Sequence, residues 1–295
     1  MNAYKLDLQR RSKEHSRKST WKRMLIKYLL IAAAIYVAIL LLLVVFESSI
    51  LYPAPRYPLG DWDAGRYDAV DVKFDSADGT KLHGWYYEQP QARGTLLFCH
   101  GNGEHVAYNG YYGALLSREL NLNVLVFDFR GYGRSGGDPA KDGILADGEA
   151  AIEWLAEKNS IAPNQVVVYG RSLGGAIACH LGAKHRVKGV FLQSTFSRMT
   201  DVASGMYPVF PVRLMMRNQY DSVANVKIYN NPLTHIHGDD DRVVPIKFGQ
   251  LLFAASVSED KQFVTLDGFG HNDVPDKVAL KHLRPFVDKL FAQEE

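Results

Sequence analysis

Between residues 165 and 181 the chain runs from an apolar, β-branched stretch into a small-residue helical pattern. Gln165-Val166-Val167-Val168-Tyr169 leads to Ala176-Ile177-Ala178-Cys179-His180-Leu181, with Gly170-Arg171-Ser172-Leu173-Gly174-Gly175 between them. A strand that turns into a helix through so many glycines is a tight crossing, and a serine at its apex fits the G-x-S-x-G nucleophile-elbow pattern. In that geometry the hydroxyl clears the sheet, and the first N–H groups of the helix face whatever the hydroxyl attacks. A glycine-rich strand–helix turn with no chemistry satisfies the same residues, so the rest of the chain has to decide.

A chain of 295 residues, 47% hydrophobic and 22% charged, fits one large globular domain with additions. A net charge of +2 points to no polyanionic partner, but the basic residues are unevenly placed. Lys5, Arg10, Arg11, Lys13, Arg17, Lys18, Lys22 and Arg23 stand against only Asp7 and Glu14 in residues 1–23. Next comes Tyr28–Phe46, an uncharged stretch that as a helix reaches roughly 28 Å, about the hydrocarbon thickness of a bilayer. It exceeds a secretory h-region, and no small-residue cleavage site follows. The expectation is an uncleaved signal anchor over 24–47 behind a basic cytoplasmic tail, 1–23. The remainder then lies on the far side of the membrane, periplasmic in a bacterium and lumenal or extracellular in a eukaryote. Orientation accounts for the basic tail, so no nucleic-acid partner is inferred. Cys99 and Cys179 read as small core hydrophobes.

Pro53, Pro55 and Pro58 suggest a stiff linker over 48–68. Strands and helices alternate beyond it. Strand patterns occupy Ala69–Asp75, Leu82–Glu88, Thr95–Cys99, Asn123–Phe129, Val166–Tyr169, Val187–Leu192, Leu233–His237 and Gln262–Leu266. Helices are expected at Tyr108–Leu120, Asp142–Lys158, Gly174–Lys184, Ile246–Val257 and Asp276–Ala292. The rhythm predicts an α/β fold over 69–295: a mostly parallel sheet with helices on both faces.

A serine nucleophile needs a base, and the base needs an acid to hold its tautomer. In an open parallel sheet such groups sit beyond the carboxyl ends of the strands. Two loops there qualify: Gly238-Asp239-Asp240-Asp241-Arg242-Val243-Val244-Pro245, and Asp267-Gly268-Phe269-Gly270-His271-Asn272-Asp273. With His100-Gly101-Asn102-Gly103 and Asp128-Phe129-Arg130-Gly131-Tyr132-Gly133-Arg134-Ser135 upstream, residues from about 70 to 292 resemble an α/β-hydrolase. The N-terminal anchor and Tyr220-Asp221-Ser222 resemble its membrane-anchored ABHD-type branch. The resemblance implies Ser172 as nucleophile, His271 as base and Asp241 as orienting acid. The spacing H-G-x-x-D-x-x-V-P favours Asp241, while Asp239 and Asp240 stay open as rivals.

The resemblance further implies an oxyanion hole made by the Leu173 and Asn102 backbone N–H groups, and no cofactor. The family more often has alanine and glycine where this chain has Gly103-Glu104; Glu104 is read here as an idle surface carboxylate. The family's small cap corresponds to about 194–230, where Phe196, Met199, Met206 and Tyr207 are candidates to line an acyl pocket or simply to pack on the sheet. Gly131-Tyr132-Gly133-Arg134-Ser135-Gly136 matches a dinucleotide fingerprint, but Pro139 follows and no helix is expected to open there. No metal is expected, because paired cysteines and H-E-x-x-H are missing from the sequence. The expected activity is that of a membrane-anchored serine hydrolase acting on a small-molecule or lipid-like acyl ester or thioester. A serine peptidase of the same fold and a non-catalytic anchored binding module are the alternatives.

Overall fold

A computed structural model describes residues 2–292. They divide into two compact units, one ending at Glu47 and one beginning at Ser48.

The first unit is α1 (Asn2–Val45). Neither glycine nor proline occurs in this span, so nothing interrupts the hydrogen-bond ladder, and the basic stretch read as a tail continues the same helix. The helix is long and apolar enough to cross a membrane, with mean hydropathy 3.0 in its most apolar window. A short α2 (Glu47–Leu51) follows and stops ahead of Pro53, since the residue before a proline is pushed out of helical geometry.

The second unit is an eight-stranded sheet: β1 (Val70–Asp75), β2 (Lys81–Tyr87), β3 (Thr95–Cys99), β4 (Asn123–Asp128), β5 (Val167–Arg171), β6 (Gly189–Gln193), β7 (Leu233–Gly238) and β8 (Lys261–Leu266). Their order is β1-β2-β4-β3-β5-β6-β7-β8. β1 pairs antiparallel with β2, and β2 antiparallel with β4; all other pairs are parallel. The helices are α3 (Gly110–Leu120), α4 (Lys141–Lys158), α5 (Leu173–His185), α6 (Met199–Met206), α7 (Val212–Met215), α8 (Ser222–Val226), α9 (Ile246–Ala255) and α10 (Asp276–Phe291).

Strand alternation sorts the core into two layers. Leu97 and Cys99 of β3, with Leu125 and Phe127 of β4, face Ile152 and Leu155 of α4, Ile177 and Leu181 of α5, and Leu252 of α9. Leu96 and Phe98, with Val124 and Val126, face Leu116 of α3 and Leu283 and Val287 of α10. Both faces of the central strands are therefore dry, which is why they read as unbroken apolar runs. The prolines of 48–68 belong to this unit too: Tyr52 is buried, and Gly133 N–H donates to Pro55 O at 2.8 Å. The loops that follow β3, β5, β7 and β8 leave from the carboxyl end of the sheet, and α6–α8 intervene between β6 and β7.

Candidate active site

Ser172 lies between the end of β5 and the first turn of α5, with φ 51° and ψ −115°. A side chain held there costs about 1–3 kcal/mol, so the surroundings must impose it. They do so from both ends of the residue. Ser172 N–H donates to Gln193 O at 2.9 Å, and its carbonyl accepts from Thr195 Oγ1 at 2.7 Å and Gly175 N–H at 3.0 Å. The glycines make the crossing sterically open. A Cβ on Gly170 would lie 2.4 Å from Gly174 O, and one on Gly174 would lie 2.0 Å from Cys99 O. Gly174 thus brings the start of α5 against the loop that leaves β3.

The loops after β7 and β8 deliver the other two groups. His271 Nε2 lies 3.0 Å from Ser172 Oγ, and His271 Nδ1 lies 2.7 Å from Asp241 Oδ2. Oδ1 of Asp241 accepts the Val243 and Val244 N–H groups at 2.9 and 2.7 Å. Burial alone would raise the pKa of Asp241. Hydrogen bonding from His237 and His271, helped by Val244 N–H, instead holds the carboxyl well below the usual range, so it carries its charge. The neighbouring aspartates are occupied elsewhere: Asp240 pairs with Arg242 at 3.1 Å, and Asp239 accepts Gly268 N–H at 2.7 Å. His237, fully buried, donates from Nε2 to Val244 O at 2.8 Å while the same nitrogen stands 3.3 Å from Asp241 Oδ2.

Leu173 opens α5, and Asn102 sits on the turn after β3. No protein acceptor is seen for either backbone N–H among the described residues. The turn is pinned by groups that sequence reasoning passed over. Glu104 is not an idle carboxylate: it pairs with Arg171, accepts Gly101 N–H at 3.1 Å and accepts Asn109 Nδ2 at 3.2 Å. Arg171, the residue before the serine, also donates to Asn109 Oδ1 at 2.6 Å and lies over the Phe98 ring. Its position inside the elbow was the available signal; its partner stands 67 residues away in sequence. His100 stacks on Phe129 with ring centroids 4.0 Å apart and donates to Gly101 O at 2.8 Å; burial lowers its pKa.

The four cap candidates do not share one environment. Phe196 and Met199 are buried in the core layer under α5, whereas Met206 and Tyr207 are about half exposed. The glycine run 131–136 forms a turn that opens no helix. A Cβ on Gly133 would fall within 2.5 Å of all three Asp128 carboxyl atoms. Asp128 lies beneath the turn and accepts Val106 N–H at 2.8 Å and Arg134 N–H at 3.1 Å. Among the described residues no cluster of histidine, cysteine or carboxylate side chains is placed to hold a metal ion.

A family model described as the alpha/beta hydrolase fold matches residues 94–227. An uncharacterized protein of Mycobacterium tuberculosis is 33% identical over 224 residues, which cover 74% of this chain and 78% of that protein. The chain belongs to the α/β-hydrolase family. Protein bem46 of Schizosaccharomyces pombe is 31% identical over 194 residues, covering 63% of this α/β-hydrolase and 64% of the relative. The alpha/beta hydrolase domain-containing protein WAV2 of Arabidopsis thaliana is 27% identical over 266 residues, covering 81% and 85%. Among solved structures, the Pyrococcus furiosus esterase Pf2001 superposes with a TM-score of 0.65 at 20% identity, covering 81% of this chain and 98% of that one. Est1E of Butyrivibrio proteoclasticus, solved with ferulic acid bound, gives 0.63 at 18% identity, covering 75% and 99%. At that identity the structural likeness speaks for the fold.

Proposed function

We propose that this α/β-hydrolase is a membrane-anchored serine hydrolase that cleaves carboxylic ester or thioester bonds of small-molecule or lipid-like acyl substrates. One observation carries the reading: a single imidazole bridges a strained serine hydroxyl and a buried, charged carboxylate at 3.0 and 2.7 Å. In the proposed reaction Ser172 Oγ attacks the acyl carbon while His271 Nε2 takes its proton. Asp241 holds Nδ1–H and stabilises the imidazolium. The backbone N–H groups of Leu173 and Asn102 receive the oxyanion. His271 then protonates the leaving alkoxide or thiolate, and a water activated by the same nitrogen releases the acid and restores the serine. The printed name of one structural neighbour, the Pyrococcus furiosus esterase Pf2001, supports the ester bond. The apolar stretch of α1, with basic residues in the part of the helix ahead of it, supports an anchor whose N-terminus is cytoplasmic.

A fluorophosphonate probe should label the wild-type chain and leave Ser172→Ala unlabelled. Equal labelling of both overturns the assignment. Rates across a p-nitrophenyl acyl series, set against a peptide library, decide between esterase and peptidase.

A further inference from the structure

The residues that leave the apolar helix end up at the candidate oxyanion loop. Leu51 O accepts Asn102 Nδ2–H at 2.7 Å, and Tyr132 Oη donates to Asn102 Oδ1 at 2.5 Å. Both ends of one side-chain amide are therefore held, one by the segment behind α1 and one by the turn after β4. That segment is itself fixed at several points. Tyr52 is only 3% exposed, and its Oη lies 2.9 Å from Tyr220 Oη and 3.1 Å from Asn218 Oδ1, at the distal end of the cap region. Gly133 N–H donates to Pro55 O, and Tyr57 N–H donates to Gly133 O at 3.0 Å. A Cβ on Gly103 would meet Pro53 Cγ at 3.5 Å, so the proline ring lies against the loop as well.

We propose that residues 51–57 form a strap that aims the Asn102 backbone N–H, with the Asn102 side chain and Tyr132 as positioning residues. The physical reason lies in the loop's composition. Asn102 stands between Gly101 and Gly103, which give the backbone almost no stiffness of their own. A donor that must face a developing charge needs its direction fixed before the reaction, and a shift of about 1 Å costs on the order of 10²-fold in rate. Glu104 and His100 hold Gly101 on one side of the turn; the clamped amide side chain fixes Asn102 itself, between the two glycines. A segment read from sequence as a stiff linker behind the anchor thereby becomes a wall of the active site. The inference rests on Asn102 N–H being an oxyanion donor.

The test uses the full chain in detergent micelles, with kcat and KM for p-nitrophenyl butyrate, the inhibition constant of an alkylboronic acid and the melting temperature. Asn102→Ala keeps the backbone N–H but loses both clamps; kcat should fall about 10–100-fold with KM within twofold. Asn102→Asp keeps the acceptor for Tyr132 but sets an oxygen against Leu51 O, and should fall as far as the alanine variant. Tyr132→Phe removes the other clamp and should lower kcat about tenfold. Boronate affinity should drop in step with kcat, because both depend on the oxyanion donors. Wild-type kcat in Asn102→Asp overturns the strap. So does a set of variants that melt earlier yet keep kcat and boronate affinity. If an Asn102 variant fails to fold, Tyr132→Phe decides by the same two readouts. Ser172→Ala, run alongside, separates the two claims: esterase activity there overturns the serine reading, whereas a silent Ser172→Ala beside a fully active Asn102→Asp overturns the strap alone.

Discussion

Asp241 keeps its charge where burial works against it. The donors around it, from His237, His271 and the Val243 and Val244 backbone, outweigh the loss of water. Its carboxyl is therefore depressed in the folded state relative to an unfolded value near 4. A depressed acid stabilises the fold above its unfolded pKa and loses that contribution as pH falls through the folded one. Asp241→Asn should accordingly be less stable than wild type at neutral pH, with the gap closing as pH is lowered below about 4; thermal melts from pH 7 to pH 3 read this. The same variant should lower kcat/KM about 10³–10⁴-fold, because an amide permits the wrong imidazole tautomer. Steady-state kinetics on a short p-nitrophenyl ester check it. Three consecutive aspartates were visible in the sequence, with the motif spacing favouring the third. Consecutive residues on a turn point in different directions, and only the meeting of two loops shows which one faces the imidazole.

At the level of single elements, the close crossing of β5, α5 and the loop after β3 is where small changes should be felt most. Gly174→Ala places a carbon against Cys99 O, a backbone atom that cannot step aside. Overpacking of this kind costs typically about 1–3 kcal/mol, and moving the loop should also slow fluorophosphonate labelling of Ser172. Urea melts and labelling rates measure the two effects separately. Glu104→Gln leaves Arg171 without its charge partner in a partly buried place, a loss of about 2 kcal/mol in urea unfolding. The elements themselves were legible. Thr95–Cys99 coincides with β3, and the expected α4, α9 and α10 end within a residue or two of those observed. Periodicity and glycine placement are local, and so are helix and strand. Glu104 was misread because its partner is brought to it by the pairing of β3 with β5, which no local pattern records.

For the whole molecule, the division at residue 47 and the two core layers beyond it argue that the hydrolase unit stands without α1. A chain beginning at Ser48 should be soluble in the absence of detergent and retain kcat on short esters. One beginning at Leu59 lacks Leu51, Tyr52 and Pro55, and should lose at least about tenfold in kcat through the oxyanion loop. Size-exclusion chromatography and steady-state assays on the pair decide it. The prolines of 48–68 marked a segment that could not continue the helix; they carried no sign of where it would dock.

By itself the sequence determined the alternating architecture, the apolar helix ahead of it and the short list of groups able to form a proton relay, because each depends on residues near one another along the chain. Tertiary structure alone decided which aspartate faces the imidazole, that Glu104 braces the loop with Arg171, and that the exit from the apolar helix clamps Asn102. Those are contacts between side chains and backbone separated by thirty to more than sixty positions. They exist only once the parallel strands have brought their carboxyl ends to one edge.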